Sequence, residues 1–131
     1  MRGMLAKLLG DRGEQTAAKF LKKRGYKIIA KQFKNQFGEI DIICRHDGVI
    51  VFVEVKTRRS SKSGRPEEAV DTHKQRQITR TALAYLKKNR LLESPARFDV
   101  VSIVWADKGD EPEITLFQNA FEPVGQWQMY S

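Results

Sequence analysis

Two stretches of the chain carry carboxylates where apolar residues would be expected. Val49-Ile-Val-Phe-Val-Glu-Val-Lys56 reads as a buried central strand except at Glu54 and Lys56, and Glu39-Ile-Asp-Ile-Ile43 has the same anomaly at Glu39 and Asp41. Taking an unpaired carboxylate out of water is expensive even after the surroundings relax. Breaks in local patterning of this kind are expected at functional sites. Side chains alternate along a strand, so Glu54 shares a face with Lys56, and Glu39 with Asp41. Asp47-Gly48 lies between the two stretches, and Asp-Gly flanked by apolar runs is the strongest short-range hairpin signal.

A two-residue turn there sets His46 against Val49, Asp41 against Glu54 and Glu39 against Lys56. The opposite face then pairs Ile40 with Val55, Ile42 with Val53 and Cys44 with Val51, apolar throughout and facing the core. A longer turn would undo this register but not the Glu54-Val55-Lys56 spacing. Opposed carboxylates repel unless they share a proton or hold a cation. An all-oxygen site without His or Cys suits a hard ion, Mg²⁺ or Mn²⁺. Lys56 beside it could stabilise charge on a phosphate or orient a water, and the set suits metal-assisted hydrolysis of a phosphodiester. The alternative is a plain Glu39–Lys56 cross-strand ion pair, with Asp41 and Glu54 on a solvent-facing half of the sheet.

The elements that must hold these residues can be read coarsely. Asp11 to Arg24 has Ala17, Phe20 and Leu21 at helical spacing, with Gly25 placed to stop it. Strands are expected over Tyr26–Phe33, Glu39–Arg45 and Val49–Thr57. After the Gly64/Pro66 break, Glu67 to Val70 reads as one turn. Asp71 or Thr72 then caps a helix reaching about Asn89, with Ile78, Ala82, Tyr85 and Leu86 on its apolar face. Phe98–Trp105 is a further strand, Asp107–Pro112 a turn and Glu113–Phe117 a last short strand. The order α-β-β-β-α-β-β gives an α/β (α+β) fold, one mixed sheet flanked by helices in a single domain over residues 1–131.

Composition sets the outer bounds. The 131 residues carry 24 Lys and Arg against 16 Asp and Glu, a formal charge of +8. That excess favours a polyanion, nucleic acid first and an anionic membrane surface second. The charge is uneven: residues 1–55 carry +5, residues 56–90 carry +8 and residues 91–131 carry −5. One cysteine, Cys44, excludes an internal disulfide framework, and two histidines are too few for a His-rich metal site. No apolar run approaches the roughly 20 residues needed to span a bilayer, and Lys7 interrupts the only stretch resembling a signal peptide. A reduced, cytoplasmic protein is the simplest reading.

The quoted residues also carry a resemblance. Gly38-Glu-Ile-Asp-Ile-Ile43, followed by Val51-Phe-Val-Glu-Val-Lys-Thr-Arg58, resembles the YraN-like family of small bacterial proteins. That family is similar in turn to PD-(D/E)XK nucleases, in particular archaeal Holliday-junction resolvases. The likeness extends to Gly13-Glu14, Lys74-Gln75 and Arg97-Phe-Asp-Val-Val101, and so over most of the chain. It implies a restriction-endonuclease-like fold, with Asp41 and Glu54 as metal-binding acids and the Val55 carbonyl as a further ligand. It also implies Lys56 as the catalytic lysine and Glu14 as a first-helix acid joining the metal shell, directly or through water. Lys74 and Gln75 match where the second helix supplies polar residues to the site. The superfamily's leading Pro-Asp is Ile40-Asp41 here, so the proline is absent. Glu39 stands beside the set as a partner for Lys56 or a structural ion pair.

Lys56, Arg58, Arg59, Lys62 and Arg65 run from the candidate strand into a Ser/Gly-rich loop, and Lys74, Arg76 and Arg80 follow on the helix. Contacts of this kind grip the phosphate backbone without sequence preference and weaken steeply with salt. No zinc finger, RNA-recognition signature or helix-turn-helix is visible. The sequence therefore leads to an expected Mg²⁺-dependent endonuclease acting on DNA, branched forms included, with a homodimer suggested by analogy with the resolvases. The other reading is a non-catalytic nucleic-acid-binding module, or a subunit that needs a partner. A peripheral membrane protein ranks last, for want of a basic amphipathic helix with large exposed apolar residues.

Overall fold

A computed structural model describes residues 2–59, 70–106 and 111–125, with side chains from residue 10 onward. Helix α1 spans Arg2–Lys23, β1 Lys27–Asn35, β2 Gly38–His46, β3 Val49–Arg59, α2 Thr72–Lys88, β4 Ala96–Trp105 and β5 Glu113–Phe121. The order is the expected one, α-β-β-β-α-β-β, and the fold is α+β. The five strands form one sheet in chain order. β3 and β4 run parallel, and the other neighbours are antiparallel. A parallel pair needs a long crossover, and the connection containing α2 supplies it. Among the described residues no helix is long and apolar enough to cross a membrane.

The hairpin forms as its turn residues dictate. Asp47 and Gly48 both have positive φ, 50° and 79°, the backbone a two-residue type I′ turn requires. The ladder pairs His46 with Val49, Cys44 with Val51 and Ile42 with Val53. It then stops, so the expected oppositions of Asp41 with Glu54, Glu39 with Lys56 and Ile40 with Val55 are not part of it. At this point the Asp41 carboxylate turns inward and accepts the Val55 N–H at 2.7 Å.

The expectation of one core face is also corrected, because helices cover both sides of the sheet. On one side Ala17 and Leu21 of α1 pack over Ile42, Cys44, Val51, Val53 and Val101. On the other, Ile78, Ala82 and Leu86 of α2 pack over Ile40, Ile43, Phe52, Phe98 and Val100. Burial on both faces explains the nearly continuous apolar run of β3. Truncating a side chain such as Phe52, fully buried here, would cost about 3–5 kcal/mol. Ile40 lies on the α2 side although Ile42 and Cys44 lie on the α1 side. The exchange of faces falls at Asp41, opposite Gln32 of β1, whose φ is 50°.

Several boundaries differ from those expected; β3 runs on to Arg59, β4 begins at Ala96, and β2 is longer by one residue at each end. α1 starts nine residues before Asp11, in a stretch rich in the strong helix formers Met, Leu, Ala and Lys. β1 begins at Lys27 and runs two residues past Phe33, to Asn35. β5 continues to Phe121, because a register shift opposite Phe98 and Val100, with Asn119 at φ 50°, carries the strand past Gln118-Asn119. α2 matches its signals: Asp71 Oδ1 accepts the Lys74 N–H at 2.8 Å, and Asn89 caps the other end. The expected turn at 107–112 falls mostly outside the described residues, as does Glu67–Val70 except Val70, which is buried on the α2 side.

Candidate active site

The two acids that break the strand pattern lie together where β2 and β3 part. Glu54 is 8% exposed and Asp41 is half-buried. Asp41 has the Val55 N–H, while no donor among the described residues hydrogen-bonds Glu54. Burial pushes the Glu54 carboxyl up to about 7; the Asp41 charge adds to this, and Lys74 and Lys56 oppose it. Burial likewise raises Asp41 to about 6, against the Val55 N–H, with Glu14 and Glu39 raising it further and Lys74 lowering it. Desolvation and a like charge act in the same direction, so the pair resists double ionisation.

Glu14, from α1, belongs to this electrostatic group. Its position follows from the residue before it. A Cβ at Gly13 would collide with the Thr57 hydroxyl, so glycine lets α1 approach β3 closely. Gln32 Nε2 then donates to Glu14 Oε2 at 2.9 Å and to Asp11 Oδ1 at 3.4 Å. Gln32 carries no signal as a strand residue in the sequence; its positive φ turns it toward α1.

The remaining candidates divide. Lys74, in the first turn of α2, acts on both acids, and Lys56 acts on Glu54. Lys56, Arg58 and Arg59 line a cavity of about 400 Å³ with Gly10, Val55 and Trp105. Arg59 and Arg76 are exposed, and Arg58 is half-buried. The Gln75 amide is engaged elsewhere, donating to the Val70 carbonyl at 2.7 Å. Glu39 is exposed and its charge acts on Asp41; among the described residues no ion pair joins it to Lys56. Lys62 and Arg65 lie outside the described residues. No group of three or more His, Cys, Asp or Glu side chains that could hold a metal occurs among the described residues. The carboxylates brought together here are those of Asp41 and Glu54, and the resemblance adds the Val55 carbonyl as a third donor. That set fits Mg²⁺, which is usually held by one or two carboxylates and keeps several waters.

A second buried carboxylate lies on the other face of the sheet. Asp99, 1% exposed, sits in β4 beside Val53 of β3. Its oxygens accept from the Tyr26 hydroxyl at 2.9 Å, Arg97 Nε at 2.9 Å and the Asn119 N–H at 2.9 Å. Arg97 also reaches His46 Nδ1 at 3.0 Å, and His46 stacks on Tyr26 with ring centroids 4.1 Å apart. His46, beside the turn, is thus partly buried in this network. Asp99 pairs with Arg97 and takes no part in the Asp41–Glu54 group.

Residues 13–103 match the model of the uncharacterised protein family UPF0102. The chain belongs to UPF0102. A UPF0102 protein of Trichlorobacter lovleyi is 50% identical over 115 residues, covering 87% of this chain and 90% of that relative. One of Lachnoclostridium phytofermentans is 46% identical over 123 residues, covering 93% and 99%. UPF0102 is the YraN-like family that the sequence motifs resemble. The UPF0102 match includes Glu14, Asp41, Glu54, Lys56 and Lys74.

Proposed function

We propose that this UPF0102 protein is a Mg²⁺- or Mn²⁺-dependent endonuclease that hydrolyses phosphodiester bonds of DNA, reading shape rather than sequence. The observation that carries this reading is the buried Asp41–Glu54 pair, which among the described residues has only the Val55 N–H as a hydrogen-bond donor and feels the charges of Lys56 and Lys74. Asp41, Glu54 and the Val55 carbonyl would hold the ion, which when bound polarises the scissile phosphate and lowers the pKa of a water. Lys56 places an ammonium beside Glu54, where it can hold the attacking water or meet charge developing on the phosphate. Lys74 offsets the carboxylate charge that would otherwise repel a phosphodiester. Glu14, fixed by Gln32, offers a further acceptor through a water. Arg58, Arg59, Lys62, Arg65 and Arg76 supply sequence-independent phosphate contacts.

The test is cleavage of duplex, nicked, flapped and four-way DNA with Mg²⁺ or Mn²⁺, with Glu54→Gln as the control. The wild-type protein cleaves at least one of these in a metal-dependent way. Glu54→Gln and Lys56→Ala lose cleavage and retain salt-sensitive binding. Absence of cleavage on all four substrates overturns the reading in favour of a non-catalytic module or a partner-dependent subunit.

A further inference from the structure

The helix face that carries Lys74 continues away from the acids. Lys74, Gln77, Arg80, Ala84 and Lys87 recur at three- and four-residue steps and so share one stripe of α2. This stripe meets the β1–β2 turn at several points. A Cβ on Gly38 would approach Gln77 Cγ to 2.8 Å, so the turn lies tight against the helix there. Asn35 Nδ2 donates to the Thr81 carbonyl at 3.2 Å, and Asn35 Oδ1 accepts the Phe37 N–H at 2.9 Å. Phe37 is thereby held at the tip of the turn, with the Arg80 guanidinium 4.9 Å from the centre of its ring. Phe37, Arg80, Leu83, Ala84, Lys87 and Lys88 border an open groove of about 560 Å³. Phe37, Leu83 and Ala84 give it an apolar lining, Arg80, Lys87 and Lys88 add three cations, and no acid is among its lining residues.

We infer that this groove takes an unpaired nucleobase of the strand being cut, which makes a duplex bearing a single-stranded branch the preferred substrate. The inference rests on the nuclease reading above and names the class of DNA it acts on. A guanidinium lying on a phenyl ring presents a planar cationic surface, and unpaired bases stack on aromatic and arginine planes. Lys87 and Lys88 stand where the flanking phosphates would lie. At 1.5 Å per helical residue, Arg80 is about 9 Å and Lys87 about 20 Å along the axis from Lys74. Those spans correspond to roughly three to six nucleotide steps from Lys74, at 3.4 Å per step along one strand. A base inside an intact duplex cannot enter the groove. An acidic peptide would find the cations but has no use for the stacked plane.

The test uses the full-length Glu54→Gln protein without metal and compares binding of a blunt duplex with the same duplex carrying a single-stranded flap. The flapped probe binds on the order of tenfold tighter, in keeping with one stacked base. Phe37→Leu keeps an apolar side chain without a ring and removes most of that preference, whereas Phe37→Trp restores it. An unchanged preference in Phe37→Leu overturns the inference, as does displacement of the flapped probe by an acidic peptide but not by single-stranded DNA. If the wild-type protein cleaves with Mg²⁺ while Phe37→Leu keeps the preference, only the groove assignment fails. If no DNA is cleaved yet the preference depends on the ring, the groove assignment stands and the nuclease reading fails.

Discussion

Asp99 and Glu54 are both carboxylates in the middle of the sheet, one on each face and in adjacent rows of β3 and β4. Asp99 has an arginine, a tyrosine hydroxyl and a backbone N–H as donors. Glu54 has no donor among the described residues and faces a second acid, Asp41. The contrast separates two uses of a buried charge. When every lone pair has a donor, low surrounding polarity strengthens the bonds and the group fixes the structure. When donors are withheld and a like charge is placed alongside, the ionised form is costly until something positive enters.

The sharpest way to break this comparison is to remove Asp99. Asp99→Asn leaves Arg97 without its counter-charge and sets an amide donor among donors, so stability should fall by about 3–5 kcal/mol in urea unfolding. Next comes Gly13→Ala. Its methyl group meets Thr57 and forces α1 away from β3, at about 1–3 kcal/mol; Glu14 is displaced and the Asp99 network is untouched. Glu54→Gln should not lower metal-free stability at neutral pH, because it removes a carboxyl whose ionised form burial and Asp41 disfavour. A loss comparable to that of Asp99→Asn would show Glu54 to be a structural group. The same pair also gives a test by pH. Burial and neighbouring carboxylate charge raise the Asp41 and Glu54 carboxyls to about 6 and about 7, above their ordinary 3.8 and 4.5. The folded state therefore binds more protons between about pH 4 and 7 than the unfolded chain does, and the pair's contribution to stability is lost as pH rises through that window. In metal-free buffer Tm should fall as pH rises through that window, and Glu54→Gln should flatten the slope.

Much of this arrangement was legible in the sequence where local chemistry decides it. Asp47-Gly48 announced the turn, and the turn set the register as far as Ile42 and Val53. Asp71 announced the start of α2. The acids stood out because a β-strand's apolar run has no reason to contain them. What was not legible depends on irregularity or distance. The faces exchange around Asp41, opposite the positive φ of Gln32, and no alternation pattern carries that information. Tyr26, His46, Arg97 and Asp99 are far apart in the chain and meet only after the sheet forms. Glu14 reads as an ordinary helix charge until Gly13 is seen against Thr57; only the family resemblance singled it out beforehand.

The central claim is that the Asp41–Glu54 pair is kept short of donors in order to receive a cation, and calorimetric titration with Mn²⁺ or Mg²⁺ tests it most directly. The account predicts binding by the wild-type protein, weakened at least about 100-fold in both Glu54→Gln and Asp41→Asn, while both variants remain folded. Binding of equal strength in the wild-type and Glu54→Gln proteins, or no binding by the wild type, would contradict it.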